Sequence, residues 1–146
     1  MTDENFKTCL NIAKELDDVV DGNLYKCPHC YNLFNLDSAE ELQDEDENPI
    51  YVCPHCKEHL DEYDLDALSL YDYFSDAYDI EYIINYRKEY QSIRITVATG
   101  GPAIWIDTDK RAVCLAWWGE TAQAGLLQHT CNAIDQYGEE LYGEYQ

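Results

Sequence analysis

The stretch Lys26-Cys27-Pro28-His29-Cys30 returns almost unchanged as Val52-Cys53-Pro54-His55-Cys56, with 22 residues between Cys30 and Cys53. No other feature restricts the fold as strongly. A Cys-Pro-His-Cys turn offers two thiolates from one tight knuckle, with backbone N–H groups able to bond to sulfur. Two knuckles on neighbouring strands complete the four-ligand tetrahedron that Zn²⁺ prefers. The spacing therefore predicts a four-cysteine zinc ribbon in which Cys27, Cys30, Cys53 and Cys56 hold one structural Zn²⁺ per chain. Leu24, Tyr31, Leu33 and Phe34 flank the first knuckle, and Ile50, Tyr51, Val52 and Leu60 the second, enough for a small core. A single Cys-Pro-His-Cys also suits the turn of disulfide oxidoreductases, where one thiolate is a nucleophile. Duplication at ribbon spacing, with no βαβ pattern ahead of it, speaks against that use. His29 and His55 occupy the variable position of each knuckle, and His59 is not needed once four thiolates are in place. The residue after a knuckle's second cysteine is often Gly, which tolerates positive φ. Here it is Tyr31 and Lys57.

The other three of the seven cysteines, Cys9, Cys114 and Cys131, lie in periodic apolar segments and read as buried small hydrophobes. Free thiols beside metal-type pairs fit a reducing compartment. The acidic start MTDENFKTCL lacks a signal peptide's basic start and apolar middle. No apolar run approaches the roughly 20 residues that span a bilayer. The expectation is a soluble cytoplasmic protein.

Along the chain, Phe6, Leu10, Ala13, Leu16 and Val20 recur at helical spacing over 2–20, ended by Asp21-Gly22-Asn23. Between the knuckles, Ser38-Ala39-Glu40-Glu41 matches a capping box and predicts a short acidic helix. Pro49 then returns the chain to an extended state. Residues 61–78 read as a turn-and-helix linker with Ser69 as a helix cap. Beyond it the period changes to two, in 79–85, 92–99, 103–108 and 112–118, separated by turn residues that include Gly100-Gly101-Pro102. From Thr121 to Tyr142, Ala124, Leu127, Cys131, Ile134 and Leu141 fall near helical spacing. The expected fold is α+β: an N-terminal helix, the zinc ribbon, then a four-stranded antiparallel meander with a C-terminal helix. The expected division is 1–60 for helix and ribbon, 61–78 for an acidic linker, and 79–146 for a ββββα domain. Adjacent Trp117 and Trp118 must face opposite sides of the sheet, so one of them is core.

Zinc ribbons often touch nucleic acid, yet the chain carries 9 Lys+Arg against 30 Asp+Glu, a net charge of −21 over 146 residues. Sixteen of those acids fall between Asp37 and Glu81, with Lys57 as the one base. Aromatic content of 13% separates this chain from a disordered acidic tail. The acidic runs lack the Gly and Glu register of a calcium-binding loop. Two readings stay open. The acid is a solvated surface that maintains solubility, or it imitates the phosphate backbone. Duplex DNA carries one charge per about 1.7 Å, so some 20 charges match about one helical turn. In the second reading the contacts come from Glu40, Glu41, Asp44 and Glu45, from Asp61, Glu62, Asp64 and Asp66, and from Asp72, Asp76 and Asp79. Tyr71 and Tyr73 would add amphipathic anchors. No phosphate loop, dinucleotide glycine pattern, metalloprotease helix or nucleophile elbow is present, and no enzymatic activity is expected.

The segment VATGGPAIWIDTDKRAVCLAWWGE (97–120) resembles small uncharacterised phage and plasmid proteins of gut and lactic-acid bacteria. A short, strongly acidic mobile-element protein in turn resembles the anti-defence class, the anti-CRISPR and antirestriction proteins, many of which imitate DNA. The resemblance brings no catalytic residues. It implies an inhibitor in the host cytoplasm that fills the basic nucleic-acid groove of a defence nuclease, an RNA-guided CRISPR nuclease first among them, without binding nucleic acid or membrane itself. The ribbon departs from most of that class. The alternative is a zinc-ribbon adaptor that binds a host protein such as RNA polymerase and leaves nucleic acid unblocked.

Overall fold

A computed structural model describes residues 2–61 and 65–144. They are mixed α and β, with a helix at each end and antiparallel sheets between. The elements are α1 (Thr2–Val20), β1 (Leu24–Lys26), β2 (Leu33–Asn35), β3 (Glu40–Gln43), β4 (Pro49–Val52) and β5 (His59–Asp61). There follow α2 (Leu70–Tyr73), β6 (Asp79–Ile84), β7 (Tyr90–Ala98), β8 (Ala103–Asp107), β9 (Ala112–Trp117), β10 (Glu120–Gly125) and α3 (Gln128–Glu144). The chain forms two compact units, Met1–Asp17 with Leu70–Gln146, and Asp18–Ser69. This differs from a division at 60 and 79, because the first helix packs with the C-terminal half.

In the larger unit, β6 to β10 form one antiparallel sheet in the order β10-β9-β8-β7-β6. The alternation expected of half-covered strands is plain in the register. Ile80, Ile95, Ile106, Val113 and Ala124 line up across the strands on one face. Cys9, Ala13 and Leu16 of α1 and Cys131, Ile134 and Tyr137 of α3 complete that core. Of the expected apolar stripe of α1, Ala13 and Leu16 are buried, but Phe6 is 46% exposed, and Cys9 and Val19 are buried in place of the expected Phe6 and Val20. The three cysteines outside the knuckles are buried, as expected.

The meander has five strands, not four. The run Thr121–Ala124, read as the start of the last helix, is the middle of β10, where Ala124 pairs with Val113. A two-residue turn makes this possible: Trp118 and Gly119 both take positive φ, 51° and 78°. That is the combination whose twist suits a tight hairpin. α3 starts only at Gln128, and Leu127 before it is 53% exposed. Gly100, with φ of 83°, sits in the turn between β7 and β8.

In the smaller unit β1 pairs with β2, and β3, β4 and β5 form a three-stranded sheet with β4 at its centre. The acidic helix expected from Ser38 is absent. Asn35 caps a short 3-10 turn at Leu36–Ser38, its Oδ1 accepting the Asp37 N–H at 2.7 Å, and the chain then extends into β3. A helix there would set Glu40 against Asp44 and Glu41 against Glu45 one turn apart, like charges that repel. Extension relieves this and lets Glu40–Gln43 pair with Pro49–Val52. The turn between them is held by Asp44, whose Oδ1 accepts the N–H groups of Asp46 and Asn48 at 2.8 and 2.9 Å. Buried Cys27, Phe34, Cys53 and Leu60 form this unit's small core.

Candidate metal centre and acidic surface

Each knuckle is built the same way. In the first, the Cys27 carbonyl accepts the Tyr31 N–H at 2.9 Å, and the Asn32 carbonyl accepts the Cys27 N–H at 3.0 Å. In the second, Lys57 donates to Cys53 and Cys53 donates to Glu58, both at 3.0 Å. The amides of His29 and His55 point at Cys27 Sγ and Cys53 Sγ, each at 3.4 Å. The bend needs positive φ after the second cysteine, and Tyr31 and Lys57 take it, at 63° and 65°. The lack of glycine therefore leaves the knuckle geometry intact.

This symmetry brings the four sulfurs together. All lie within 4.8 Å of one another, and the Cys27–Cys56 and Cys30–Cys53 pairs are 3.7 Å apart. Four sulfurs at about 2.3 Å from a central ion in a tetrahedron stand about 3.8 Å apart. The cluster thus has the size of a four-thiolate metal site. The two half-buried thiols are poised differently towards negative charge. The backbone amide of Asn32 holds the Cys30 thiol down to about 6. For Cys56 the amide of Glu58 acts in the same sense, but burial and the three neighbouring sulfurs prevail and push it up to about 12. Four thiolates at this spacing repel one another, and a divalent cation at their centre removes that conflict. His55 Nε2 lies 3.2 Å from the Leu33 carbonyl, and His29 and His59 are exposed. None of the three belongs to the cluster.

The acidic candidates fall on both units. Glu40, Glu41, Asp44 and Glu45 lie together on the β3–β4 hairpin, where every residue of β3 is exposed. Through β4, Glu40 shares a sheet face with Asp61 of β5. Glu41 lies on the other face, the one that carries buried Leu60. Asp61 and Asp66 are exposed, and Glu62 and Asp64 lie outside the described residues. Asp72, Asp76 and Asp79 are exposed on the larger unit. The two tyrosines proposed as anchors have internal partners. Tyr73 is half-buried and donates to Glu15 at 2.7 Å, and Tyr71 donates to Glu140 at 2.9 Å while its ring meets Tyr137 edge-on. The most exposed aromatic side chains among the described residues are Tyr86 at 87% and Trp118 at 84%. Trp117 packs against the core, as expected of one of the pair, but the two do not oppose each other across the sheet: Trp118 sits in the turn, and its ring meets that of Trp117 edge-on at 5.4 Å. No known protein family, curated protein or solved structure matches the chain. No helix among the described residues is long and apolar enough to cross a membrane.

Proposed function

We propose that the four-cysteine cluster is a zinc ribbon and that the protein is a non-enzymatic, DNA-mimicking inhibitor of the anti-defence class. Its carboxylates occupy the basic nucleic-acid groove of a host nuclease, with an RNA-guided CRISPR nuclease first in line. Zinc is favoured by the all-sulfur ligand set and the tetrahedral spacing. A closed site of four thiolates leaves no open position for substrate, so the metal's part is structural. One observation carries the mimicry: Glu40, Glu41, Asp44 and Glu45 stand on a hairpin whose turn is fixed by Asp44 and whose second strand runs directly into Cys53 of the sulfur cluster. Carboxylates ordered before binding cost less entropy to dock than those of a floppy tail.

The test uses purified partner nuclease at graded salt. Glu40, Glu41, Asp44 and Glu45 are replaced together by Gln or Asn. Mimicry expects binding that weakens steeply with salt, competition with the nuclease's own nucleic acid, and a loss of several kcal/mol in the variant with its fold intact. Tight binding that survives high salt and coexists with bound nucleic acid would sink it. The adaptor reading is favoured by a different observation. Trp118 is exposed at a backbone conformation that bulky residues avoid, so aromatic contact is an alternative route to a partner. It expects losses on Trp118→Ala and little response to salt.

A further inference from the structure

The face of the five-stranded sheet turned away from α1 and α3 carries a second, unrelated constellation. Across it run Thr96, Trp105, Cys114 and Gln123, one from each of β7 to β10 and aligned by register. A cavity of ≈ 350 Å³ is lined by Trp105, Lys110, Cys114, Thr121 and Gln123 together with Leu115 and Ala122. That is the lower end of the size range of small-molecule sites.

Its charge runs against that of the molecule. Arg94 has Glu81 and Asp107 as register partners on its two sides, yet its guanidinium lies over the Trp105 ring, 4.6 Å from the centroid. Asp107 spends its Oδ1 on the amides of Asp109 and Lys110, at 3.0 and 3.2 Å. Two donors here are buried with no acceptor among the described residues, Arg94 Nε and Trp105 Nε1. Unpaired buried donors are unusual in folded proteins and mark places where an acceptor is missing. Burial raises the Cys114 thiol in the same wall; Lys110 and Arg94 pull against it and Asp107 acts with it, so the thiol stays neutral.

We propose that this cavity binds a small organic anion with a flat ring, an aromatic carboxylate or phosphate. Lys110 meets the charge, the Thr121 hydroxyl and Gln123 amide supply hydrogen bonds, and the ring lies against Trp105. A ring stacked by a cation is a firm platform for a second flat group. Trp105 Nε1 and Arg94 Nε are closed to solvent as the side chains stand, so a small turn of the indole accompanies binding and gives its N–H an acceptor. Of the chain's −21, Glu81 and Asp107 flank Arg94, whose charge offsets theirs in part, and charges more than about 8 Å away are screened at physiological salt.

The experiment is a titration of the full-length protein, labelled with nitrogen-15 and read at the Trp105 indole N–H resonance. The probes are benzoate and phenyl phosphate, which separate the two anion sources, with benzamide as the neutral ring and acetate as the ringless anion. Trp105→Phe assigns the resonance. The expected result is a saturable shift with one or both aromatic anions and little with benzamide or acetate. Lys110 is exposed, so Lys110→Gln leaves the fold intact and should weaken binding about tenfold, the loss of one charge-assisted contact. Absence of a saturable shift with either aromatic anion overturns the proposal. So does benzamide or acetate binding as well as benzoate, or binding that Lys110→Gln leaves unchanged.

Discussion

At Tyr73 and Tyr90 a phenol hydroxyl serves as an internal fastener. Tyr73 reaches Glu15 on α1, and Tyr90 donates to Asp135 on α3 at 2.8 Å. In each case burial first, and the neighbouring carboxylate second, raise the phenol's ionisation above the ordinary tyrosine range. The folded state therefore prefers the neutral phenol. Its contribution to stability is complete below the unfolded value, about 10, and is lost as pH rises above that toward the folded value. An alkaline titration followed by phenolate absorbance should show two phases. In the later phase the fastened pair ionises, only as circular dichroism reports unfolding. A single phase near the ordinary value, with the fold intact, would show that these hydroxyls fasten nothing. Tyr31 and Lys57 are a different residue-scale matter. Positive φ costs an L-residue about 1–2 kcal/mol relative to the usual conformation, and each knuckle accepts that cost once, at Tyr31 and at Lys57, for the bend that turns its two sulfurs to the same side.

Among elements, α3 shows how a weak local signal conceals a tight contact. Gly138 stands inside the helix, where glycine is disfavoured against alanine by about 1 kcal/mol. Propensity alone predicts that Gly138→Ala stabilises. The packing predicts the reverse. A Cβ at this position would lie 2.6 Å from Tyr90 Oη and 3.0 Å from Ile93 Cδ1, and the Tyr90 hydroxyl is tied to Asp135, one turn earlier in the same helix. Gly138→Ala should therefore lower stability by about 1–3 kcal/mol, the usual cost of overpacking, as read from the midpoint of urea unfolding. Stabilisation would mean that α3 does not approach β7 as closely as the structure has it. β10 makes the complementary point. Its alanines and Leu127 fit a helical period by coincidence, and the Trp118-Gly119 turn decides for a strand.

For the whole molecule, the two units differ in what holds them. The larger has an extensive apolar core with α1 built into it; among its described residues the smaller buries the cluster of Cys27, Phe34, Cys53 and Leu60, with Val19 and Leu24 besides. Such a core is too small to stabilise 52 residues (Asp18–Ser69) without the metal. On the proposed zinc reading, chelation at neutral pH should remove one zinc per chain and unfold Asp18–Ser69, with loss of its hairpin strands. Trp105, Trp117 and Trp118 all belong to the larger unit, so the tryptophan near-UV signal should persist. Cys27→Ser or Cys53→Ser should have the same effect without chelator. A simultaneous loss of the tryptophan signal would show one cooperative fold. A truncated chain that begins at residue 70 should be far less stable, because it lacks Cys9, Ala13 and Leu16 from its core.

The four-cysteine cluster was legible in the sequence because its signal is local: each Cys-x-x-Cys turn sets two sulfurs by itself, and duplication at ribbon spacing implies their meeting. The helix at 2–20, the buried thiols and the strands β6 to β9 were legible for the same reason, since periods of 3.6 and 2 are written along single segments. What depends on partners distant in the chain was not. The extension of Glu40–Gln43 follows from pairing with Pro49–Val52 against a capping-box signal. The identity of β10 follows from its ladder with β9, and the place of α1 in the larger unit from contacts with residues about a hundred positions away. Arg94 over Trp105 belongs with these. Neither residue stands out in its own strand, and their meeting arises from strand register, which only the assembled sheet decides.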